Sequence, residues 1–151
     1  MAQGNFQGTL KGTAVKSVKV ADYMATRLVT FHPETNVVEA LGTLLKHSIS
    51  GAPVVDADGN LVGVLSEVDV MQIVIQGSYY DESTGIVADF MKSPVDTVSP
   101  DDDIYNLAQR FLSERRRRFP VVKNGRLVGQ ISRRDVLRAA EDFLVNKPKK
   151  R

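Results

Sequence analysis

The sequence predicts an α/β fold made of two pseudo-symmetric repeats. Three observations support this fold class. First, a five-residue motif returns after 67 residues, so that Val20 to Met24 matches Val87 to Met91. Second, both copies show the same order of strand, helix, hairpin and helix. Third, the copies differ in length by one residue, and that difference falls in a glycine-containing turn, where it disturbs the flanking strands least.

Each repeat opens with a short β-prone run, at residues 28–31 in repeat 1, and continues with a helix. Pro33 and Asn36 begin that helix in repeat 1, and Ser99 to Asp101 begin it in repeat 2 as a serine cap, a proline and an early acid. Apolar residues recur at helical spacing, which predicts one buried face on each helix. These residues are Val37, Ala40, Leu41, Leu44 and Leu45, and then Ile104, Leu107, Ala108, Phe111 and Leu112.

A hairpin and a second helix complete each repeat. The hairpins span residues 53–65 and 120–131, and Ser66 and Ser132 begin the helices that follow. Their apolar residues are Val70, Ile73 and Val74, and then Val136, Leu137 and Ala140. We therefore divide the chain into a flexible N-terminal segment (1–19), repeat 1 (20–76), a linker (77–86), repeat 2 (87–142) and a basic tail (143–151).

Composition restricts the function. The chain has no cysteine, which excludes disulfides, thiolate zinc sites and cysteine nucleophiles. No apolar run suits a signal peptide or a membrane span, so we expect a cytoplasmic protein. Residues 110–151 carry 14 Lys and Arg against 4 acids, whereas residues 1–109 carry 6 against 14. The basic half can attract phosphates, nucleic acid or the acidic half of a second copy.

The sequence Gly-x-x-Ser-x-x-Asp occurs once in each repeat, at the end of the hairpin and the start of a helix. A helix N-terminus and a serine hydroxyl suit a phosphate, and a carboxylate one turn later can accept both hydroxyl hydrogens of a ribose. The glycine lets a ligand approach the backbone. The same pattern also resembles an ordinary capping box. The residues are Gly63, Ser66 and Asp69, and then Gly129, Ser132 and Asp135.

The order strand, helix, Pro-Val-Val hairpin and Gly-x-x-Ser-x-x-Asp, given twice, resembles a tandem pair of CBS (cystathionine-β-synthase-type) domains over residues 20–142. The resemblance implies that the two repeats pack sheet to sheet. It implies two clefts that hold AMP, ADP, ATP or a related adenosyl compound as a regulatory ligand. It also implies flat dimers formed through the helices, and the charge asymmetry favours a head-to-tail arrangement of the two copies.

An arginine run precedes the second Pro-Val-Val motif. In CBS pairs the residues just before Pro-Val-Val reach into the clefts. By this resemblance, Arg116 and Arg117 are expected to bind a polyphosphate at one cleft. Arg118, or the pair Arg133 and Arg134, is expected to serve the other cleft. The matching segment of repeat 1 is uncharged, so the clefts should be unequal. Apolar or backbone contacts to adenine are expected from Ile49, next to Ser50, and from Val29 or Val95. The alternative is a solvated basic face.

No pairing of a nucleophile with a base points to catalysis, and no Walker-type loop is present, so we expect a regulatory protein and not an enzyme. We expect no cofactor. His32 and His47 suit exposed or capping positions, and Asp101 to Asp103 suit a helix start or a weak divalent-ion site beside a polyphosphate. Two other functions stay open: nucleic-acid binding through the basic half, and a ligand-free dimerisation scaffold.

Overall fold

The computed structural model describes residues 18–76 and 85–144. Repeat 1 contains α1 (Val37–His47), β1 (Gly51–Val55), β2 (Leu61–Ser66) and α2 (Glu67–Gln76). Repeat 2 has the same order in α3 (Ile104–Glu114), β3 (Arg118–Lys123), β4 (Arg126–Ser132) and α4 (Arg133–Leu144). The α/β class and the two-repeat organisation are therefore confirmed. Most of the predicted N-terminal segment, linker and tail lies outside the described residues.

Each repeat is centred on an antiparallel hairpin, β1 with β2 and β3 with β4. Gly59 and Gly125 lie in the two turns with φ of 86° and 83°, a conformation that costs glycine little. The tips of the hairpins are bonded to each other. The Leu61 N–H donates to the Gly125 carbonyl and the Leu127 N–H donates to the Gly59 carbonyl, both at 3.0 Å. This contact joins the sheets of the two repeats.

The β-prone run at residues 28–31 does not form the predicted strand. Only its last residue is paired: the Phe31 N–H donates to the Pro53 carbonyl at 2.9 Å, and the Phe31 carbonyl accepts from the Val55 N–H at 2.8 Å. Val98 makes the equivalent parallel bridge with Val121 in repeat 2. Within the described residues, 28–30 form no bridge, so β propensity there is not matched by a partner strand.

The opening segments of the two repeats are exchanged between the two cores. Val20 is fully buried in the core of repeat 2, where Met24 packs beside it. Val87 is fully buried in the core of repeat 1, where Met91 packs beside it. Each core therefore contains residues from both repeats, and the two repeats form one physical unit.

The helices bury a narrower apolar face than their sequence pattern predicts. In α1, Val37, Ala40 and Leu44 are buried, whereas Leu41 and Leu45 are 36% and 71% exposed. The prediction was wrong for these two leucines, because the hairpin covers only part of the apolar stripe. The same applies to Leu112 in α3 and Leu137 in α4, and α4 buries Ala139 more completely than the predicted Ala140.

Helix α3 begins later than predicted. The Ser99 N–H donates to the Asp102 carboxylate at 2.8 Å, and the Asp102 N–H donates to the Ser99 carbonyl at 3.0 Å. These bonds close a separate turn before the helix. Asp103 is the N-cap, and its carboxylate accepts from the Tyr105 N–H at 2.8 Å. The predicted serine cap was therefore wrong, since Ser99 is used within the turn.

Candidate functional site

Both Ser-x-x-Asp motifs form the same closed turn at the start of a helix. In repeat 1, one carboxylate oxygen of Asp69 accepts from the N–H and the hydroxyl of Ser66, each at 2.9 Å. The Asp69 N–H donates back to the Ser66 hydroxyl oxygen at 3.2 Å. Ser132 and Asp135 make the same three bonds at 2.8, 3.0 and 3.3 Å. Both motifs therefore act as capping boxes, and each aspartate keeps its second oxygen for another partner.

The second oxygen has a different partner in each repeat. Asp69 is 1% exposed, and its Oδ1 forms an ion pair with Lys92 from the opening segment of repeat 2. Asp135 is also buried, and its Oδ1 pairs at 2.6 Å with Arg138 on the same helix. Repeat 1 has Ala25 at the position of Lys92. The counter-ion comes from the other repeat at Asp69 and from its own repeat at Asp135.

The Asp69 motif opens onto a cleft of about 310 Å³ between the two repeats. This volume is at the lower end of the range for small-molecule sites. Four basic side chains and two carboxylates line the cleft, together with small and apolar residues. The lining residues are Ser50, Gly51, Ala52, Pro53, Val64, Ser66 and Asp69 from repeat 1, and Lys92, Pro94, Val95, Asp96, Arg116, Arg117, Arg118, Pro120 and Gln130 from repeat 2. We call it the arginine cleft.

The arginine run faces the uncharged segment of repeat 1 across this cleft. Arg118 is half-buried, and its Nη1 donates to the Ser50 hydroxyl at 3.2 Å. Burial lowers the pKa of Arg118 and the neighbouring Arg117 charge lowers it further, whereas Glu67 raises it. All three arginines line one cleft, so Arg118 is not separated from Arg116 and Arg117 there, and the alternative that Arg133 and Arg134 serve a second cleft stays a prediction. The charged and uncharged segments are opposite walls of a single cleft.

Arg116 and Arg117 differ in their partners. Arg116 Nη2 is 2.6 Å from an Asp96 carboxylate oxygen, and its guanidinium lies 5.3 Å from the centre of the Phe119 ring. Arg117 is exposed and forms no ion pair with any residue that the structure describes. Arg118 forms no ion pair either, but it donates to Ser50, so among the described residues Arg117 is the cleft arginine whose side chain has neither an ion pair nor a hydrogen bond.

Several predicted site residues lie elsewhere. Val29 and Ile49 pack against the core of repeat 1, and neither lines the arginine cleft. Ser132 and Asp135 do not line it either. Arg133 and Arg134 are exposed at the start of α4, outside the cleft. Of the residues expected to contact adenine, Val95 lines the cleft.

The two motif glycines have a packing role. A Cβ atom at Gly63 would lie 2.5 Å from the sulfur of Met91, and one at Gly129 would lie 2.5 Å from the sulfur of Met24. Both methionines belong to the exchanged opening segments. The glycines therefore leave room for those segments, and neither glycine lines the arginine cleft, so their predicted contact with a ligand stays a prediction.

Two charged cleft residues, Lys92 and Asp96, were not predicted from the sequence. A signal for both was present in the alignment of the repeats, where Lys92 stands opposite Ala25 and Asp96 opposite Val29. A charge in one copy that replaces an apolar residue in the other does not belong to the packing that the copies share, and both of these charges line the cleft between the copies.

The histidines and the aspartate cluster have local roles. His32 Nδ1 lies 3.0 Å from a backbone carbonyl oxygen, and His47 is exposed in the last turn of α1. Asp101 forms an ion pair, Asp102 closes the turn before α3, and Asp103 caps α3. Among residues 18–76 and 85–144, no three His, Asp or Glu side chains are grouped so as to hold a metal ion. No helix in these ranges is long and apolar enough to cross a membrane.

Comparison with known families identifies the chain. The CBS domain matches residues 20–76 and again residues 87–142. These two matches cover most of the sequence, in the same order as the two repeats of the structure. The chain therefore belongs to the CBS domain family and is a tandem CBS pair.

Solved structures of CBS pairs share this fold. The structure of CBSX2 in complex with AMP is 31% identical, with a TM-score of 0.73 over 84% of this chain and 98% of that chain. CBSX2 from Arabidopsis thaliana without a named ligand is 30% identical, with a TM-score of 0.74 over 85% and 97%. The CBS pair of protein MJ0100, in complex with 5-methylthioadenosine and S-adenosyl-L-methionine, is 25% identical, with a TM-score of 0.67 over 83% and 97%.

Curated relatives include proteins of different functions. An A-adding tRNA nucleotidyltransferase from Aquifex aeolicus is 31% identical over 89% of this chain, which spans 16% of that enzyme. CBSX1, a chloroplastic CBS protein from Arabidopsis thaliana, is 31% identical over 80% of this chain, which spans 63% of that protein. In both cases the chain spans less than two thirds of the relative.

Proposed function

We propose that this chain is a regulatory module, not an enzyme, that binds an adenine nucleotide or a related adenosyl compound in the arginine cleft. One observation carries the proposal: the cleft places a buried carboxylate at a helix N-terminus opposite three arginines from the other repeat. A nucleotide needs both kinds of group within one cleft, a carboxylate for the ribose hydroxyls and guanidinium groups for the phosphate. The AMP in CBSX2 and the two adenosyl ligands in MJ0100 support the ligand class.

Each part of the ligand has a partner in the cleft. The ribose hydroxyls donate to Asp69, whereas the Ser66 hydroxyl already donates to that carboxylate, so the phosphates accept from the arginine side of the cleft. The phosphates pair with Arg117 and Arg118, the two cleft arginines that form no ion pair with a described residue. The adenine ring packs on the apolar side of the cleft, against Val95 and its neighbours.

Thermal melting tests this function. A ligand that binds only the native state adds RT ln(1 + [L]/Kd), about 2.7 kcal/mol at roughly 100 times Kd. For a chain of this size we expect AMP, ADP or ATP to raise Tm by about 5–10 °C. Inorganic phosphate and CMP are the controls and should have a much smaller effect. An unchanged Tm with all three adenine nucleotides at millimolar concentration would favour the ligand-free scaffold.

The output of the module passes through a second copy or another protein. The side of repeat 1 formed by α1 and α2 is suited to a second copy. Leu45 on α1 is 71% exposed, and Val68, Met71 and Ile75 on α2 are 65%, 56% and 84% exposed. A group of large apolar side chains on two adjacent helices is typical of an interaction surface. A homodimer through the helices buries this surface.

The orientation of that dimer follows from a difference between the repeats. Repeat 2 has Arg134 and Glu141 where repeat 1 has Val68 and Ile75. In the head-to-tail dimer that net charge favours, these charges would face apolar side chains. In a head-to-head dimer, Val68 and Ile75 of one copy face the same apolar side chains of the second copy. Arg134 of one copy can then pair with Glu141 of the other. The side chains therefore favour the head-to-head arrangement over the one expected from net charge.

Because the chain has no cysteine, a single introduced thiol reports this orientation. Ile75→Cys with a short bismaleimide should give a covalent dimer, and Asn124→Cys in the exposed β3–β4 turn is the control. Crosslinking only in a mixture of Ile75→Cys and Glu141→Cys chains would show the head-to-tail arrangement. A monomeric mass in light scattering would refute the homodimer.

Nucleic-acid binding is a second candidate function, favoured by one contact. The Arg133 N–H donates to the Arg117 carbonyl at 3.1 Å, which brings the arginine run beside Arg133 and Arg134. The side chains of Arg117, Arg133 and Arg134 are exposed. Oligonucleotide binding through this patch would weaken steeply with salt, whereas nucleotide binding in a partly buried cleft would weaken less. A titration with a labelled RNA oligonucleotide at 50 and 200 mM salt separates the two functions.

A further inference from the structure

Lys92 places the positive charge of an exposed side chain on the buried carboxylate of the arginine cleft. Its backbone is fixed by an antiparallel bridge, in which the Lys92 N–H donates to the Val64 carbonyl at 2.9 Å and the Lys92 carbonyl accepts from the Val64 N–H at 3.0 Å. Its side chain is 71% exposed, yet the ammonium group reaches Asp69, which is 1% exposed. A long side chain that lies mostly in solvent can leave this pair without disturbing the fold.

The ammonium group occupies the oxygen that a ribose needs. Asp69 Oδ2 already accepts two hydrogen bonds from Ser66. Oδ1 is the oxygen that remains for a ligand, and Lys92 holds it. Each carboxylate oxygen offers about two acceptor positions, so a ribose diol, which needs both positions of Oδ1 for its two hydroxyl hydrogens, competes with Lys92 for one of them.

We propose that Lys92 is a displaceable counter-ion that makes the arginine cleft select phosphorylated ligands over nucleosides. This inference rests on the proposed function. A nucleoside that binds Asp69 displaces Lys92 and gives it no new partner. A nucleotide displaces Lys92 and also brings a phosphate into the cleft that Lys92 lines, so the lysine exchanges one anion for another.

Repeat 2 lacks this arrangement and supplies the control. Its aspartate, Asp135, is paired with Arg138 three residues later on the same helix, and Ala25 replaces the lysine. Arg138 does not line the arginine cleft. Removing its charge therefore changes a similar ion pair without touching the proposed ligand site.

The test compares adenosine with AMP by calorimetry on the full chain and on Lys92→Met, which keeps the length of the side chain and removes its charge. We expect adenosine to bind Lys92→Met about fivefold more tightly than it binds the unchanged chain, the factor of a modest ion pair. AMP should bind equally or more weakly, so the preference for AMP falls at least fivefold. Arg138→Met should leave that preference unchanged.

The possible outcomes distinguish the role of Lys92 from nucleotide binding in the arginine cleft. If the unchanged chain binds AMP and Lys92→Met keeps the same preference, the role of Lys92 is refuted and the nucleotide site stands. Weaker binding of adenosine to Lys92→Met also refutes it, because Lys92 would then assist the nucleoside. If neither ligand binds either chain, the nucleotide site is refuted together with the inference. The same titrations and the melting temperature are measured for Lys92→Gln, a second substitution that removes the charge. Agreement between the two variants excludes a local folding defect in Lys92→Met as the cause.

Discussion

Replacing Asp69 by alanine changes two properties that a matched substitution at Asp135 can separate. Each change removes a carboxylate that accepts from the N–H and hydroxyl of its serine at 2.8–3.0 Å. Loss of such a cap costs about 0.5–2 kcal/mol of stability, or about 1–8 °C in Tm for a chain of this size. Asp69→Ala and Asp135→Ala should therefore lower Tm by similar amounts.

Their effects on AMP binding should differ. Only the first of these two carboxylates lines the arginine cleft. A hydrogen bond to a charged group is worth about 1.5–3 kcal/mol, so Asp69→Ala should raise the Kd for AMP about tenfold to a hundredfold. Asp135→Ala should leave the Kd at this cleft unchanged. Calorimetry gives the Kd and circular dichroism gives the Tm; a lower Tm with an unaltered Kd in Asp69→Ala would show that Asp69 is only a cap.

Three further changes test the cleft and the fold. Replacing Arg116 and Arg117 together by Gln should weaken ATP binding more than AMP binding, because each extra phosphate needs a partner; an equal loss in calorimetry would contradict this. Gly63→Ala should lower the free energy of unfolding by about 1–3 kcal/mol in urea, since its Cβ would lie 2.5 Å from the Met91 sulfur and 3.1 Å from a backbone oxygen; a neutral effect would mean that the exchanged segment is loosely packed. Asn36→Ala should cost about 1 kcal/mol, because Asn36 accepts from two N–H groups at the start of α1, and an unchanged Tm would refute its capping role.

The sequence predicts the architecture well because the same information occurs twice. The turn glycines and the Ser-x-x-Asp motifs act through local backbone geometry, which the order of residues determines. The helical periodicity shows which residues share a face, but it does not show how far the hairpin covers that face. Leu45 and Leu112 are therefore exposed although they follow the pattern of buried residues.

The site was harder to predict, because its cleft depends on the exchange of the opening segments. That exchange brings Lys92 to Asp69 and places a methionine in the space beside each of Gly63 and Gly129. No local sequence pattern encodes the exchange. It also determines that the arginine run and Ser50 face each other across one cleft. Such contacts join residues far apart in the chain, so they follow from the tertiary fold and not from any one motif.

Binding of an adenine ligand in the cleft between Asp69 and the arginine run can be measured by calorimetric titration of the unchanged chain with AMP, ADP, ATP and S-adenosylmethionine. We expect saturable binding of at least one of these ligands, with affinity that falls about tenfold or more in Asp69→Ala and persists in Asp135→Ala. No heat of binding from any of the four at millimolar concentration, or equal binding to the unchanged chain and Asp69→Ala, would contradict it.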